Sequence, residues 1–370
     1  MATFINPIYN NLLSASLNST DYELLCGSEE IDFSLREKTW IDTAKAIAIF
    51  LLKVILFPWG IYELIRWAVQ RMIMVPLYPA QSSLLKNCFI KHFKTENIDT
   101  SRLAKGKTLL EQGYIVRHVT LEKEGTRFSG LLVGKPETIN NGKWVLQAGG
   151  NCQTAEASSW GIEKYEQIGY NLLAINNPGV GRSEGTSTPE NMGECQRTAL
   201  AYLETAIKAN RVVLAGYSLG GAAIGELINQ YNFENSETNF LVVRQMTFNE
   251  VSQMGEKFTE NNCLLNFLAK PLAVWSGCQM INLDSAKKLA VHNIREIIIQ
   301  GDADEVIPME CSLLEALKTQ DEEILKNKEF QILEGAGHLD SDPLFDATIE
   351  HILAWDQALD ASLNAMEIAE

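Results

Sequence analysis

Ser218 lies at the centre of Gly216-Tyr217-Ser218-Leu219-Gly220, directly after the apolar run Val212-Val213-Leu214-Ala215. A G-x-S-x-G stretch between a buried strand and a helix forms a nucleophile elbow. The turn is so tight that the serine needs strained dihedrals and nearly bare neighbours two positions away, which glycine supplies because it has no Cβ. Such a turn lifts the hydroxyl above the sheet edge, where a histidine can reach it. Gly221-Ala222-Ala223-Ile224-Gly225 comes next, and residues that small let the next helix pack close to the sheet. A Gly-rich strand-to-helix turn in another α/β protein would carry the same motif, so the partners are the sharper test.

A serine hydroxyl is a poor nucleophile at neutral pH; it needs a base, and the base needs an orienting acid. On sheets of this type the order along the chain is Ser, then Asp or Glu, then His. Downstream, Glu296-Ile297-Ile298-Ile299-Gln300 runs into Gly301-Asp302-Ala303-Asp304-Glu305, and Phe330-Gln331-Ile332-Leu333 runs through Glu334 into Gly335-Ala336-Gly337-His338. Each candidate thus lies past the C-terminal end of a predicted strand, where open α/β sheets place their sites. Asp302 and Asp304 share one turn, and Glu250, after the strand Leu241 to Phe248, is a third acid. Aspartate also favours turns for purely local reasons. His92, His118, His292 and His351 have no comparable strand-end context.

Acyl chemistry further requires N–H donors aimed at the oxyanion, each worth about 3 kcal/mol of barrier. One is expected from Leu219, the residue after the nucleophile. The other is expected from Gly149-Gly150-Asn151-Cys152, the loop after the strand Trp144 to Ala148. By position Asn151 donates, and Cys152, one residue on, stays open as the alternative. Its thiol reads as a small packing group rather than a second nucleophile.

The elements that must carry these groups alternate from strand to helix to about residue 355, which predicts an α/β fold, a mostly parallel sheet with helices on both faces. An antiparallel hairpin opens it, with strands Tyr114–Leu121 and Phe128–Val133 about the turn Glu122 to Gly125. Asn171 to Ile175 reads as a strand that enters Asn176-Asn177-Pro178-Gly179-Val180-Gly181-Arg182-Ser183. This is not a dinucleotide loop: Glu184 occupies the third glycine position, and Gly185 to Ser187 prolongs the loop. Thr188 and Pro189 then start a helix as N-cap and first residue. Its apolar face is Met192, Cys195, Ala199, Tyr202, Leu203 and Ala206. Ser252 to Lys288 carries helices that either pack on the sheet or offer an apolar surface to substrate. Ile352 to Met366 reads as an amphipathic helix with an acidic end. The expected division is a helical apolar segment over 1–107, a catalytic domain over 108–358 and an acidic tail over 359–370.

The chain has 370 residues, 46% of them hydrophobic, and a formal net charge of −16. That charge repels phosphate backbones and argues against nucleic acid as a partner. Seven cysteines, irregularly spaced and without C-x-x-C, suggest free thiols in a reducing compartment. No H-E-x-x-H or paired Cys/His spacing occurs, so neither metal nor cofactor is expected. The first twenty residues do not read as a secretory signal. The cytoplasm is therefore the expected location, with leaderless export into a host cell invisible to this argument.

The apolar run from Ala46 to Val75 is broken by Lys53 and by Pro58-Trp59-Gly60, which favours two apolar helices over one span. They cap the core, lie in a membrane interface or cross a bilayer. Lys53, Arg66 and Arg71 beside Trp59 and Trp67 support peripheral membrane contact through residues 44–76.

Gly301-Asp302-Ala303-Asp304 with Val306-Ile307-Pro308, Gly335-Ala336-Gly337-His338 and the Pro-Gly-x-Gly-x-Ser loop resemble the α/β-hydrolase superfamily over residues 108–358. That resemblance implies Ser218 as nucleophile, Asp304 as acid with Asp302 as fallback, and His338 as base. Family members often carry His-Gly-x-Gly where this chain has Gly149 and Cys152, so the resemblance is weakest at the second oxyanion donor. Gly150-Asn151-Cys152 with Glu156, Thr247-Phe248 after Arg244 and Asn282-Leu283-Asp284-Ser285 are similar to the CHLPS-type proteins of intracellular bacteria. The implied activity is hydrolysis of an ester or thioester, with acyl or lipid substrates favoured, through an acyl-Ser218 intermediate. Two alternatives stand beside it: a silent hydrolase fold kept for binding or scaffolding, and peptidase or acyltransferase chemistry at the same three residues. Epoxide hydrolysis and dehalogenation resemble this fold but use Asp at the elbow.

Overall fold

The computed structural model describes residues 108–369 apart from 152, 159, 160, 182 and 262, together with Thr3, Phe4, Ala44, Tyr62 and Arg66. The described strands are β1 (Thr3–Phe4), β2 (Ile115–Lys123), β3 (Thr126–Gly134), β4 (Lys143–Ala148), β5 (Asn171–Ile175), β6 (Arg211–Tyr217), β7 (Asn239–Gln245), β8 (Arg295–Gly301) and β9 (Lys328–Leu333). They form one sheet in the order β1-β2-β3-β5-β4-β6-β7-β8-β9. The two-residue β1 adds an antiparallel rung to the edge strand of an otherwise eight-stranded sheet. β3 runs antiparallel to both β2 and β5, and every pairing from β5 to β9 is parallel.

The opening hairpin runs two residues further towards its turn than the alternation marks. Lys123 pairs with Thr126, leaving Glu124 and Gly125 as a two-residue loop with φ of 51° and 79°. Positive φ at both positions is the twist that matches paired strands.

The central strands are buried on both faces, and side-chain alternation divides the core into two layers. Leu146, Val212, Leu214 and Val242 face one layer; Val145, Val213, Leu241, Val243, Ile297 and Ile299 face the other. The first layer is covered by α3 (Pro189–Tyr202), α4 (Leu219–Gln230) and α7 (Asn282–Val291). The second is covered by α1 (Ala155–Ser158), α2 (Ile162–Gln167) and α10 (Ser341–Ala369). Thr188 Oγ1 caps α3 by accepting the Asn191 N–H at 3.3 Å. The expected apolar face of that helix is inward: Met192, Cys195, Ala199, Tyr202 and Leu203 are all buried.

Two electrostatic ties fix the sheet. Asp356 of α10 accepts from Lys143 Nζ at 2.6 Å, Arg211 Nη1 at 2.5 Å and Tyr170 Oη at 2.9 Å. Burial opposes the Asp356 charge, but the hydrogen bonds from Lys143, Arg211 and Tyr170 outweigh it and hold the carboxyl below its ordinary pKa. Arg211 also pairs with Asp360. The helix expected over 352–366 spans Ser341–Ala369, so residues 359–369, expected as a tail, continue it. Deeper in the sheet, Glu296 forms ion pairs with Arg244 Nε at 2.8 Å and Lys328 Nζ at 2.9 Å, with all three side chains wholly buried. Asn282 Oδ1 and Ser285 Oγ accept from the remaining Arg244 nitrogens at 2.6 Å each.

Between β7 and β8 the chain forms α5 (Val251–Phe258) and α6 (Cys263–Ser276) before α7, and between β8 and β9 it forms α8 (Leu313–Lys318) and α9 (Glu322–Leu325). Phe258, Phe267, Val274 and Trp275 on these helices are exposed. The Tyr62 ring meets Trp275 edge-on at 5.1 Å, and Arg66 Nε donates to the Ser276 carbonyl at 3.3 Å. The rest of the apolar run that was expected to cap the core or touch membrane lies outside the described residues. Among the described residues no helix is long and apolar enough to cross a membrane. A cavity lined by Phe233, Phe240, His292, Arg295 and Trp355 lies at the N-terminal ends of β7 and β8, the opposite end from the serine elbow.

Candidate active site

β6 ends at Tyr217, α4 begins at Leu219, and Ser218 makes the whole connection with φ 55° and ψ −121°. A non-glycine residue held there stores about 1–3 kcal/mol of strain and persists only where its surroundings enforce it. Three bonds do so. The Ser218 N–H donates to the Gln245 carbonyl at 2.8 Å, and the Ser218 carbonyl accepts from Thr247 Oγ1 at 2.8 Å and the Gly221 N–H at 3.0 Å. The flanking glycines are sterically required: a Cβ on Gly220 would lie 2.0 Å from the Ala148 carbonyl oxygen, and one on Gly216 2.6 Å from that of Gly220.

The loop after β8 brings in Asp304 and the loop after β9 brings in His338. His338 Nε2 lies 3.1 Å from Ser218 Oγ, and His338 Nδ1 lies 2.8 Å from Asp304 Oδ2. Both the histidine and the aspartate are buried. Asp304 Oδ1 accepts the Val306 and Ile307 N–H groups at 2.9 and 2.7 Å, while Oδ2 also accepts from Gln300 Nε2 at 3.1 Å. The carboxylate is thus anchored on one oxygen and presents the other to the imidazole. Three residues remote in sequence meet in one hydrogen-bonded line.

The other candidate acids stand elsewhere. Asp302 is exposed, and its Oδ1 accepts the Gly335 N–H at 2.6 Å. The Glu250 carboxylate accepts from Ser252 Oγ at 3.0 Å and Gln279 Nε2 at 3.2 Å.

Leu219 is the first residue of α4, so its N–H has no intrahelical acceptor and sits at the positive end of the helix dipole. The loop after β4 closes on the elbow, because a Cβ on Gly150 would meet the Tyr217 ring at 3.0 Å and Ser218 Cβ at 3.3 Å. The Gly150 N–H is committed to Gln153 Oε1 at 2.8 Å. Asn151 comes next in an exposed turn, and Cys152 lies outside the described residues.

Four contributors escaped the sequence reading. Thr247 and Gln300 brace Ser218 and Asp304. Tyr217 packs its ring 5.2 Å from the His338 imidazole and donates its hydroxyl to the His338 carbonyl. Glu305 Oε2 accepts the His338 N–H at 3.2 Å. Tyr217 and Glu305 were visible only as neighbours of Ser218 and Asp304; nothing local in the sequence marks them. Ser183, in the Pro-Gly-x-Gly-x-Ser loop, is structural: it accepts from the Ser129 N–H at 2.9 Å and donates to the Asn176 carbonyl at 2.8 Å. Among the described residues no group of three His, Cys, Asp or Glu is arranged to hold a metal ion.

One antiparallel strand, β3, in an otherwise parallel order from β2 to β9, with a serine elbow after β6, defines the α/β-hydrolase fold. The model of the family described as Chlamydia CHLPS protein (DUF818) matches residues 39–354, and the chain belongs to that family. The chain is also similar to the uncharacterized protein YfhR of Salmonella typhi, 27% identical over 204 residues, which are 51% of this chain and 64% of that protein. The match therefore spans less than two thirds of that relative. A multifunctional-autoprocessing repeats-in-toxin protein of Vibrio cholerae is 29% identical over 128 residues, 32% of this chain and 3% of that one. Among solved structures, the Pyrococcus furiosus esterase Pf2001 is similar with a TM-score of 0.49 and 16% identity, covering 68% of this chain and 93% of that one. An alpha-beta hydrolase from Vibrio vulnificus has a TM-score of 0.49 and 20% identity, covering 67% and 85%.

Proposed function

We propose that the chain is a serine hydrolase that cleaves carboxylic esters or thioesters through an acyl-Ser218 intermediate. The observation that carries this is the unbroken line Asp304–His338–Ser218 ending on a strained elbow. A packing-only role would not need a nucleophile held at φ 55° with a buried imidazole 3.1 Å away.

That line sets the chemistry. Asp304 accepts Nδ1–H and so keeps the tautomer whose Nε2 lone pair faces the serine. As Ser218 Oγ adds to the substrate carbonyl carbon, its proton passes to Nε2. Negative charge collects on the carbonyl oxygen, where the Leu219 and Asn151 N–H groups are the assigned donors. The intermediate collapses by breaking the bond to the alcohol or thiol, which leaves with the proton from Nε2. Water then attacks the acyl-serine, yields its proton to Nε2 and releases the acid, and Ser218 Oγ recovers that proton. Acyl or lipid chains are the favoured substrates. Phe258, Phe267, Val274 and Trp275, exposed on the helices after β7, support that preference, as does the apolar run over 44–76 as a membrane-contacting segment.

A fluorophosphonate probe tests the reading: the parent is labelled and Ser218→Ala is not. A properly folded parent that resists the probe, or a Ser218→Ala variant labelled equally well, would overturn it. A series of p-nitrophenyl esters of rising chain length, with and without detergent, then reports the acyl preference.

A further inference from the structure

His338 sits on a loop, and a base must hold its geometry within about 0.5 Å to work. That loop borrows almost nothing from the sheet. Between Gly335 and His338 every peptide N–H nevertheless has an acceptor, and three of the four are carboxylates. Gly335 donates to Asp302 Oδ1 at 2.6 Å, Gly337 to Asp340 Oδ2 at 2.8 Å and His338 to Glu305 Oε2 at 3.2 Å, while Ala336 donates to the Leu333 carbonyl at 3.3 Å. The other side of the His338 peptide is held too, because its carbonyl accepts the Tyr217 hydroxyl.

We propose that Tyr217 and Glu305 are positioning residues that grip the His338 backbone from both sides and so fix the imidazole over Ser218. The proposal rests on the reading of Ser218 as nucleophile. Tyr217 is the residue immediately before Ser218, so one rigid turn sets both the nucleophile and the carbonyl of the base. Glu305 is the residue immediately after Asp304, so the acid loop likewise sets both the imidazole, through Asp304, and the peptide beneath it. Tyr217 thus registers the β6 loop on the β9 loop, and Glu305, beside the Asp302–Gly335 bond, registers the β8 loop on it, both independently of the side-chain line that does the chemistry. The Tyr217 ring adds a wall, lying 5.2 Å from the imidazole at an interplanar angle of 36°. Burial, then the charges of Asp304 and Glu305, push the Tyr217 phenol above its ordinary pKa, so it remains a donor. Glu305 is exposed, so its bond adds little to global stability, and its effect belongs to the position of the base.

The test uses Tyr217→Phe, which keeps the ring and loses the donor, Glu305→Ala, which loses the acceptor, and Glu305→Gln, which keeps a carbonyl oxygen in its place. With a p-nitrophenyl ester, kcat should fall about tenfold to a hundredfold in Tyr217→Phe and Glu305→Ala at unchanged KM. Glu305→Gln should recover most of the loss, and the Tm of the Glu305 variants should match the parent. Hydrogen exchange in the peptide containing His338 should quicken in the two damaging variants, a readout that needs no turnover. Parent-like kcat in both variants, a change confined to KM, or unaltered exchange around His338 would each overturn the proposal. Failure of the nucleophile reading registers separately, as a parent that the fluorophosphonate probe does not label.

Discussion

Replacing Asp304 by asparagine exchanges one oxygen for an NH2, and the surrounding hydrogen bonds decide which oxygen is lost. Oδ1 receives two backbone N–H groups, from Val306 and Ile307, whereas Oδ2 receives Gln300 Nε2 and faces His338 Nδ1. The asparagine oxygen must occupy the Oδ1 position, because an NH2 there would oppose two donors, each costing about 1–3 kcal/mol when left unsatisfied. The alternative orientation opposes only the Gln300 donor. The NH2 group therefore points at Nδ1 and makes it an acceptor. The imidazole then carries its proton on Nε2, facing Ser218 Oγ at 3.1 Å with no lone pair to take the serine proton. Loss of the base on this route is worth about 10³–10⁴ in kcat, or about 4–5.5 kcal/mol. The assay is ester hydrolysis by Asp304→Asn against Asp302→Asn, with Tm measured on both. Asp302 uses its oxygen only to accept the Gly335 N–H, which an asparagine carbonyl can also do, so that variant should stay within a few-fold of the parent. A folded Asp304→Asn within tenfold of the parent, or an equal loss in Asp302→Asn, would refute the assignment.

Glu296→Ala removes the anion that pairs with both Arg244 and Lys328 and should cost about 3–5 kcal/mol, since it leaves two buried cations without their ion-pair partner. In a domain of this size that is roughly 6–20 °C of Tm by calorimetry. Its pH dependence has a definite sign. Burial already lowers the Lys328 pKa from 10.5, and without Glu296 only the lowering influences, burial and Arg244, remain. The unfolded chain then holds the Lys328 proton to higher pH than the folded one, so stability must rise as pH climbs from the lowered native value towards 10.5, more steeply in the variant than in the parent. A flat profile would show that Lys328 is not confined as described. Gly220→Ala places a Cβ 2.0 Å from backbone oxygen, which cannot give way, so circular dichroism should find it unfolded or destabilised by more than the usual 1–3 kcal/mol of overpacking. Asp356→Ala should lower stability by several times as much as Asp360→Ala, because the first loses three partners in a nearly buried setting and the second one pair whose carboxylate is open to solvent, worth about 1 kcal/mol or less; denaturant midpoints check this.

The residues that form the central line were legible because each obeys a local rule. A buried β-branched run ends at a small-residue or acidic turn, and the sheet then brings those turns to one rim. That is why Ser218 and His338 could be named from patterning and chain order, and why the parallel sheet could be read from the alternation. What local rules do not encode is the pairing between loops. By spacing Asp302 and Asp304 share one turn and only the G-x-x-D resemblance favours Asp304; the folded turn separates them physically, sending Asp304 inward to two backbone amides and Asp302 outward to Gly335. The Arg244–Glu296–Lys328 group was illegible, since the three charges lie on three different strands and only the alignment of β7, β8 and β9 makes them neighbours. The same holds for α10: its acidic end looked like a tail until Asp356 and Asp360 met Lys143 and Arg211.

This division has a physical consequence for the site. The strain at Ser218 is local and is set by the elbow itself, but the distance from Ser218 to His338 is set by contacts between elements 120 residues apart in sequence. The loop carrying His338 at the edge of the sheet opens more readily than the strands beneath it, so its peptide bonds need partners beyond the ladder. The carboxylates at 302, 305 and 340 and the phenol at 217 supply those partners. An acidic surface in a chain of net charge −16 would ordinarily be read as a solubility feature. Around His338 it has a second use, because carboxylate oxygens can accept from a run of amides that no neighbouring strand reaches. The spacing of Ser218 and His338 is therefore carried in part by residues outside the Asp304–His338–Ser218 line.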